Sequence, residues 1–206
     1  MNLLLKISAI FIFTALTTLN AQKTWDTETL KKANTAKNES YLTDQEKEVL
    51  YYCNLVRLDP KLFLETYVKK YLDSTKENNN YTRSLIKTLK SAKSSDVLYP
   101  SKKLYSLAKE HAIEFGKKGK TGHGNFDKRF MKMIKECGCT VGENCDYGND
   151  KALNIVMSLL IDDNVPDLGH RTNILDPVYK NIGVSIQPHK KYNWNCVMDF
   201  GGLGLR

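Results

Sequence analysis

The sequence contains no internal repeat and no low-complexity tract, and it has only five prolines in 206 residues. These absences exclude solenoid, collagen-like and proline-rich architectures. Its one long apolar stretch, Ile7 to Leu19, is shorter than the ~20 residues a spanning helix needs. A polytopic membrane protein is excluded on that ground. Two catalytic signatures are also missing: the His-Glu-x-x-His helix of many zinc proteases and any Ser-His-Asp nucleophile unit. Cysteine is sparse and odd in number, with Cys53, Cys137, Cys139, Cys145 and Cys196, so the set cannot all pair within one chain.

What is present describes a folded protein. Hydrophobic residues make up 41% and charged residues 26%, enough for one sizeable domain or two small ones. Lys+Arg number 31 against 23 Asp+Glu, a net charge of +8. The lysines are spread along the chain, and no basic stripe is interleaved with aromatics. Nucleic acid is therefore excluded as a partner. The excess charge reads as a solvated lysine-rich face or as attraction to an anionic cell surface.

The amino terminus has the layout of a secretory signal peptide. Met1 to Lys6 is a short positive region, Ile7 to Leu19 the apolar core, and Leu19-Asn20-Ala21 a cleavage site before Gln22. This predicts residues 1–21 as signal, with export to the periplasm or the exterior. The alternative is an uncleaved anchor. Residues 22–42 are polar and read as a linker or loosely docked arm, and residues 43–206 as one domain. Export permits one or two disulfides, with at least one free thiol. Cys137, Cys139 and Cys145 lack the paired spacing of a zinc ribbon.

Helical patterns fill the first two thirds. Thr43 to Glu46 is a capping box before Val49, Leu50, Cys53 and Val56. Asp59-Pro60 opens the next helix, and Ser84 to Lys93 forms a short one. Pro100-Ser101 opens a helix with Leu104, Leu107, Ala108, His111, Ala112 and Phe115 on one stripe. Asp127 is expected to cap the helix that ends at Gly138. Asn149 or Asp150 is expected to cap the helix through Leu160. Val141 to Asn144 reads as extended, and alternation over Ile182–Ile186 and Trp194–Phe200 predicts a terminal hairpin. The fold class is α+β, in a single domain.

Chemistry concentrates in two glycine-flanked histidines, Gly122-His123-Gly124 and Gly169-His170-Arg171. Between them lie Gly142-Glu143-Asn144 and Asp162-Asp163. The acidic pair ends a helix, against the helix dipole, which suggests a local task for a carboxylate. Two neutral imidazoles with nearby carboxylates suit zinc. Long separations leave open the alternative of four unrelated loop residues.

At these residues the chain resembles the CAP superfamily, also called the SCP domain, which includes the cysteine-rich secretory, antigen 5 and pathogenesis-related 1 proteins. It is most similar to the bacterial secreted branch. The resemblance runs from Thr43 to Gly201. It rests on Cys53-Asn54-Leu55-Val56-Arg57 with Pro60, on Leu104 to Ala112 leading into Gly122-His123, and on Gly142-Glu143-Asn144. Gly169-His170-Arg171-Thr172-Asn173-Ile174-Leu175 and Asn181-Ile182-Gly183-Val184 complete it. It implies an α-β-α sandwich with a central antiparallel sheet and a cleft of two histidines and two acids. By position, His123 and His170 match the metal-binding histidines, and Glu143 matches the first acid. The second acid departs from the family's glutamate and falls on Asp162 or Asp163, with Asp162 preferred. Glu143 or Asp162 would serve as a base if the cleft is catalytic.

Other polar residues have plainer readings. His111 lies on an apolar stripe and reads as packed and hydrogen-bonded, and His189 as exposed in the hairpin turn. Arg171 reads as an ion-pair partner of Asp162, Asp163 or Asp167, or as a ligand for an anion. Asn144 and Asn173 serve backbone groups, and Tyr147 stands at the rim. The helix holding Cys137 lids the cleft or braces it. Three functions follow from the resemblance. The first is a secreted module whose zinc or other divalent ion helps bind an extracellular or cell-surface ligand. The second is a metal-dependent hydrolase of peptides or cell-wall material, and the third a lipid or sterol binder.

Overall fold

The computed structural model describes residues 24–202. The expected signal peptide lies outside the described residues. Among those residues no helix is long and apolar enough to cross a membrane.

Helix α1 (Thr27–Ala33) opens the described chain, capped by Asp26. It belongs to the segment expected to be loose, yet the segment is packed. Ala33 and Ala36 are buried, Trp25 Nε1 donates to Thr66 Oγ1 at 3.0 Å, and Asn54 Nδ2 donates to Ala33 O at 2.9 Å. The capping box at Thr43 forms as the sequence predicts and starts α2 (Asp44–Leu58). Proline at the first position starts α3 (Pro60–Phe63). A π-helical turn over Leu64–Val68 joins α3 to α4 (Lys69–Thr75). The chain continues with α5 (Asn80–Ser91), β1 (Tyr99–Pro100), α6 (Lys102–Lys118), α7 (Phe126–Cys137), β2 (Val141–Tyr147), α8 (Ala152–Ile161), α9 (Gly169–Leu175), β3 (Asn181–His189) and β4 (Asn193–Gly201).

The four strands form one sheet in the order β1-β3-β4-β2. The pairs β3–β4 and β2–β4 are antiparallel, but β1 runs parallel to β3. The sheet is therefore mixed, not purely antiparallel. Strand β1 is a two-residue segment leading directly into α6, so its direction follows from where that helix must start.

Helices cover both faces, which makes the α-β-α sandwich. Strand residues alternate between two cores. Ile182, Val184, Cys196, Met198 and Phe200 join the main core with α2 and α8. Val197 and Cys145 pack against Ala108 and Ala112 of α6. Because both faces are covered, β3 and β4 are buried on both sides, and the half-exposed alternation expected from sequence is absent. Helix α6 lies so close to the sheet that a Cβ on Gly183 would come within 2.1 Å of Tyr105 N. Only glycine fits there.

Buried Arg57 locks distant segments. It donates to the carbonyls of Asp96, Ile174, Asp176 and Tyr179 at 2.8–3.1 Å. Two expected caps are replaced. Helix α7 begins after Asn125, not at Asp127, and no side chain caps it. Helix α8 begins after Lys151, and its first amide donates to Gln45 Oε1 at 2.9 Å. Tertiary contact there supplies what a local cap would.

Candidate functional site

Strand β2 lies at one end of the sheet, and the predicted histidines reach it from opposite layers. His123 sits in the loop between α6 and α7. Gly122 and Gly124 bracket it with φ of 93° and 54°. A Cβ on Gly124 would come within 2.6 Å of Phe115, so that turn needs glycine. His170 belongs to α9, on the other face.

Each imidazole is held by a buried carboxylate. His123 Nδ1 is 2.9 Å from Glu143 Oε1, and His170 Nδ1 is 2.7 Å from Asp162 Oδ1. A carboxylate accepts, so each Nδ1 carries the hydrogen, and in the neutral ring Nε2 keeps its lone pair. The two ring centroids are 6.3 Å apart. It is Asp162, at φ 60° after the last turn of α8, that faces His170; Asp163 is exposed. The second Asp162 oxygen accepts from Arg171 N at 3.1 Å. The carboxylate that opposes the helix dipole is thus used by α9.

Sequence reasoning missed Arg129. Its Nη2 donates to Glu143 Oε2 at 2.6 Å and to His123 O at 2.8 Å. Helix α7 therefore braces the cleft. Burial alone would raise Glu143, but the His123 hydrogen bond and the Arg129 charge outweigh it and leave Glu143 below its ordinary value. The same hydrogen bond raises His123. Asp199 was missed too. It lies opposite Glu143 in the β2–β4 register and is fully buried; neither oxygen is hydrogen-bonded among the described residues, and Arg129 Nη1 stands 4.0 Å from Oδ2. Burial, then the Glu143 charge, pushes its carboxyl well above the ordinary range. A residue three places before Gly202 in a buried strand gives no local signal of that neighbour.

His111 is packed as expected, 3.0 Å from Gly122 O through Nε2, and burial lowers it. With Glu143 and Cys145 it forms a buried group whose ligand atoms lie within 4.8 Å of one another and which could hold a metal ion. Three features oppose that use. His111 Nε2 is committed to a carbonyl, and Arg129 already neutralises Glu143. Burial also holds Cys145 well above its usual thiol value.

Two expectations are corrected. Among the described residues Arg171 forms no ion pair through its guanidinium; it is buried and donates to Leu160 O, Ile161 O and Ser84 Oγ at 2.6–2.9 Å. Carbonyls left free at the end of α8 outcompete the aspartates for it. His189 is buried, not exposed. Its Nε2 lies 2.8 Å from Lys120 O, and its Nδ1 accepts from Lys191 N and Tyr192 N. A histidine with two partners of that kind fastens the hairpin tip. Asn144 donates to His170 O at 2.9 Å and accepts from Asn173 at 2.8 Å, as the sequence suggests. Tyr147 OH accepts from Gly122 N at 2.9 Å. Cys137 and Cys139 form a disulfide, while Cys53, Cys145 and Cys196 are free and buried.

His170 and Asp162 line a cavity of about 430 Å³ together with Tyr71, Asp146, Tyr147 and Asp163. A larger cavity, about 650 Å³, lies near Trp25, away from both histidines, and brings no such chemistry together.

Comparison with known proteins places these residues in context. Residues 50–200 match the model of CAP, the cysteine-rich secretory protein family. No curated protein matches the chain significantly. Among solved structures, an outer surface protein from Borrelia burgdorferi is similar at 22% identity and a TM-score of 0.43, over 66% of this chain and 93% of that one.

Proposed function

The chain belongs to the cysteine-rich secretory protein family, and from that premise we propose that it is an exported module whose cleft holds one zinc or similar divalent ion through His123 and His170 and there binds an extracellular ligand. One observation carries this reading: in both histidines Nδ1 is taken by a buried carboxylate, at 2.9 and 2.7 Å, leaving both Nε2 atoms as donors. Imidazole nitrogen is a common zinc ligand, and the two rings face each other across the cleft with centroids 6.3 Å apart. Two nitrogen donors leave open positions, and an ion bound there supplies a Lewis acid for an oxygen or nitrogen donor of the ligand.

The protein's own groups favour binding over turnover. A hydrolase needs a carboxylate free to take a proton. Both oxygens of Glu143 are engaged, by His123 and Arg129. Both oxygens of Asp162 are engaged, by His170 and Arg171 N. Glu143 and Asp162 are placed to orient the rings and fix their tautomers. The neighbouring cavity, with Asp146, Asp162 and Asp163 in its lining, suits a polar ligand better than a sterol.

The test is elemental analysis after zinc exposure and desalting. The reading expects about one zinc per chain, lost in the His123→Ala/His170→Ala variant and kept in Cys145→Ser, with all variants folded. Zinc kept in the first variant and lost in the second would move the metal to His111, Glu143 and Cys145. No zinc in the wild-type chain would overturn the metal reading.

A further inference from the structure

Lysines that are scattered in the sequence converge at one end of the fold. Helix α6 finishes with Lys117 and Lys118, and Lys120 follows its Gly119 cap. The β3–β4 turn carries Lys190 and Lys191. Three contacts bring these segments together. Lys190 N donates to Gly116 O at 2.9 Å. His189 Nε2 lies 2.8 Å from Lys120 O. A Cβ on Gly119 would sit 3.6 Å from Lys190 Cβ and 3.9 Å from Lys191 Cβ. All five lysines are exposed, and neither 115–125 nor 186–195 contains an acidic residue. Within the cluster, only Lys118 has an acidic partner among the described residues, Glu114 on the preceding turn.

Aromatic side chains stand at the same end. Tyr192 is 37% and Trp194 38% exposed. Lys191 Nζ lies 5.1 Å from the Tyr192 ring centre. Tyr192 also packs against His189 and Tyr147, at 5.3 and 5.8 Å, so the tip is held in place. A cavity of about 540 Å³ beside Lys118 and Lys120 is lined also by Lys128, Arg129 and Glu114.

We propose that this end of the molecule, formed by the α6 terminus and the β3–β4 turn, docks on an anionic phospholipid bilayer. Clustered lysines near a membrane add attraction to anionic lipid, charge by charge. The exposed rings distinguish a bilayer from a dissolved polyanion, because tyrosine and tryptophan settle at the boundary between headgroups and acyl chains. In the cavity walls Lys120 and Lys128, which have no acidic partner among the described residues, are able to receive a lipid phosphate. The surface uses neither His123 nor His170, so it stands or falls apart from the metal reading.

Vesicle co-sedimentation of the full chain tests it, with pure phosphatidylcholine vesicles against vesicles containing phosphatidylglycerol. Every variant keeps the amino-terminal apolar run, so differences between variants come from the surface. Binding is expected to need phosphatidylglycerol and to weaken as salt rises. The variant Lys117→Gln/Lys120→Gln/Lys190→Gln/Lys191→Gln should lose at least about 100-fold in partitioning. Tyr192→Ser/Trp194→Ser should lose about five-fold. Unchanged circular dichroism separates lost docking from lost fold. Equal binding to both vesicle types, or wild-type binding by the lysine variant, would overturn the proposal. So would retention of polyphosphate binding with no effect of the aromatic variant on vesicles, which would assign the surface to a soluble polyanion.

Discussion

His123 and His170 make the same contact, Nδ1 to a buried carboxylate, on very different mounts. His123 sits on a glycine loop with half its side chain exposed, whereas His170 sits on a helix with 20% exposed. The Glu143 carboxylate projects from a strand and is pinned by the side chain of Arg129. The Asp162 carboxylate ends a helix and is pinned by a backbone amide. The His123 side is therefore built mainly from side-chain charge, and the His170 side mainly from backbone geometry. Charge is sensitive to pH and to single substitutions. Backbone geometry is sensitive to whatever holds the helices.

Breaking the His170 mount should have the largest effect. Arg171→Met leaves the carbonyls of Leu160 and Ile161 without their donor, and should cost about 3 kcal/mol in denaturant unfolding. Arg129→Met, its counterpart on the other side, should cost clearly less. Equal losses would erase the distinction between the two mounts. Next in size is the effect on metal affinity. Glu143→Gln and Asp162→Asn should each weaken zinc binding about 10- to 100-fold by calorimetry, without unfolding the chain. Asparagine accepts the left-handed backbone of position 162 as readily as aspartate.

A smaller effect sharpens the electrostatic side. The Asp199 carboxyl is held well above its ordinary value, so the folded chain binds a proton that the unfolded chain releases. That contribution is complete below about pH 3.9 and is lost as pH rises toward the folded value. Asp199→Asn should therefore raise stability at neutral pH, by about 1 kcal/mol. The gain should shrink in acid. A loss at neutral pH would mean that the charge is needed.

The smallest expected effect is a pH slope. Burial lowers His111, so its contribution to stability is present above about pH 6.5 and is lost as pH falls toward the folded value. His123 is raised, so its contribution is present below about pH 6.5 and is lost as pH rises through the folded value. Unfolding measured from pH 5 to 8 should show His111→Gln less acid-sensitive than the wild-type chain, and His123→Gln the reverse. Slopes of the same sign would sink this assignment.

Local chemistry by itself determined much of this protein. The capping box at Thr43, proline at the start of α3, the glycine stop of α7 and the extended character of β3 and β4 are read within a few residues, because each acts over one turn or one pleat. The glycine-flanked histidines stand out for the same reason, whereas local sequence leaves Asp162 and Asp163 alike. Only the tertiary structure decided what depends on neighbours distant in sequence. It turned Arg171 toward carbonyls, buried His189 under the hairpin tip, set Asp199 beside Glu143 and brought Arg129 to the cleft. It also replaced the caps expected at Asp127 and at Asn149 or Asp150, and gathered lysines from α6 and the β3–β4 turn on one surface. A buried polar group takes whichever partner the packing brings within 3 Å, and no sequence interval records which strand or helix that will be.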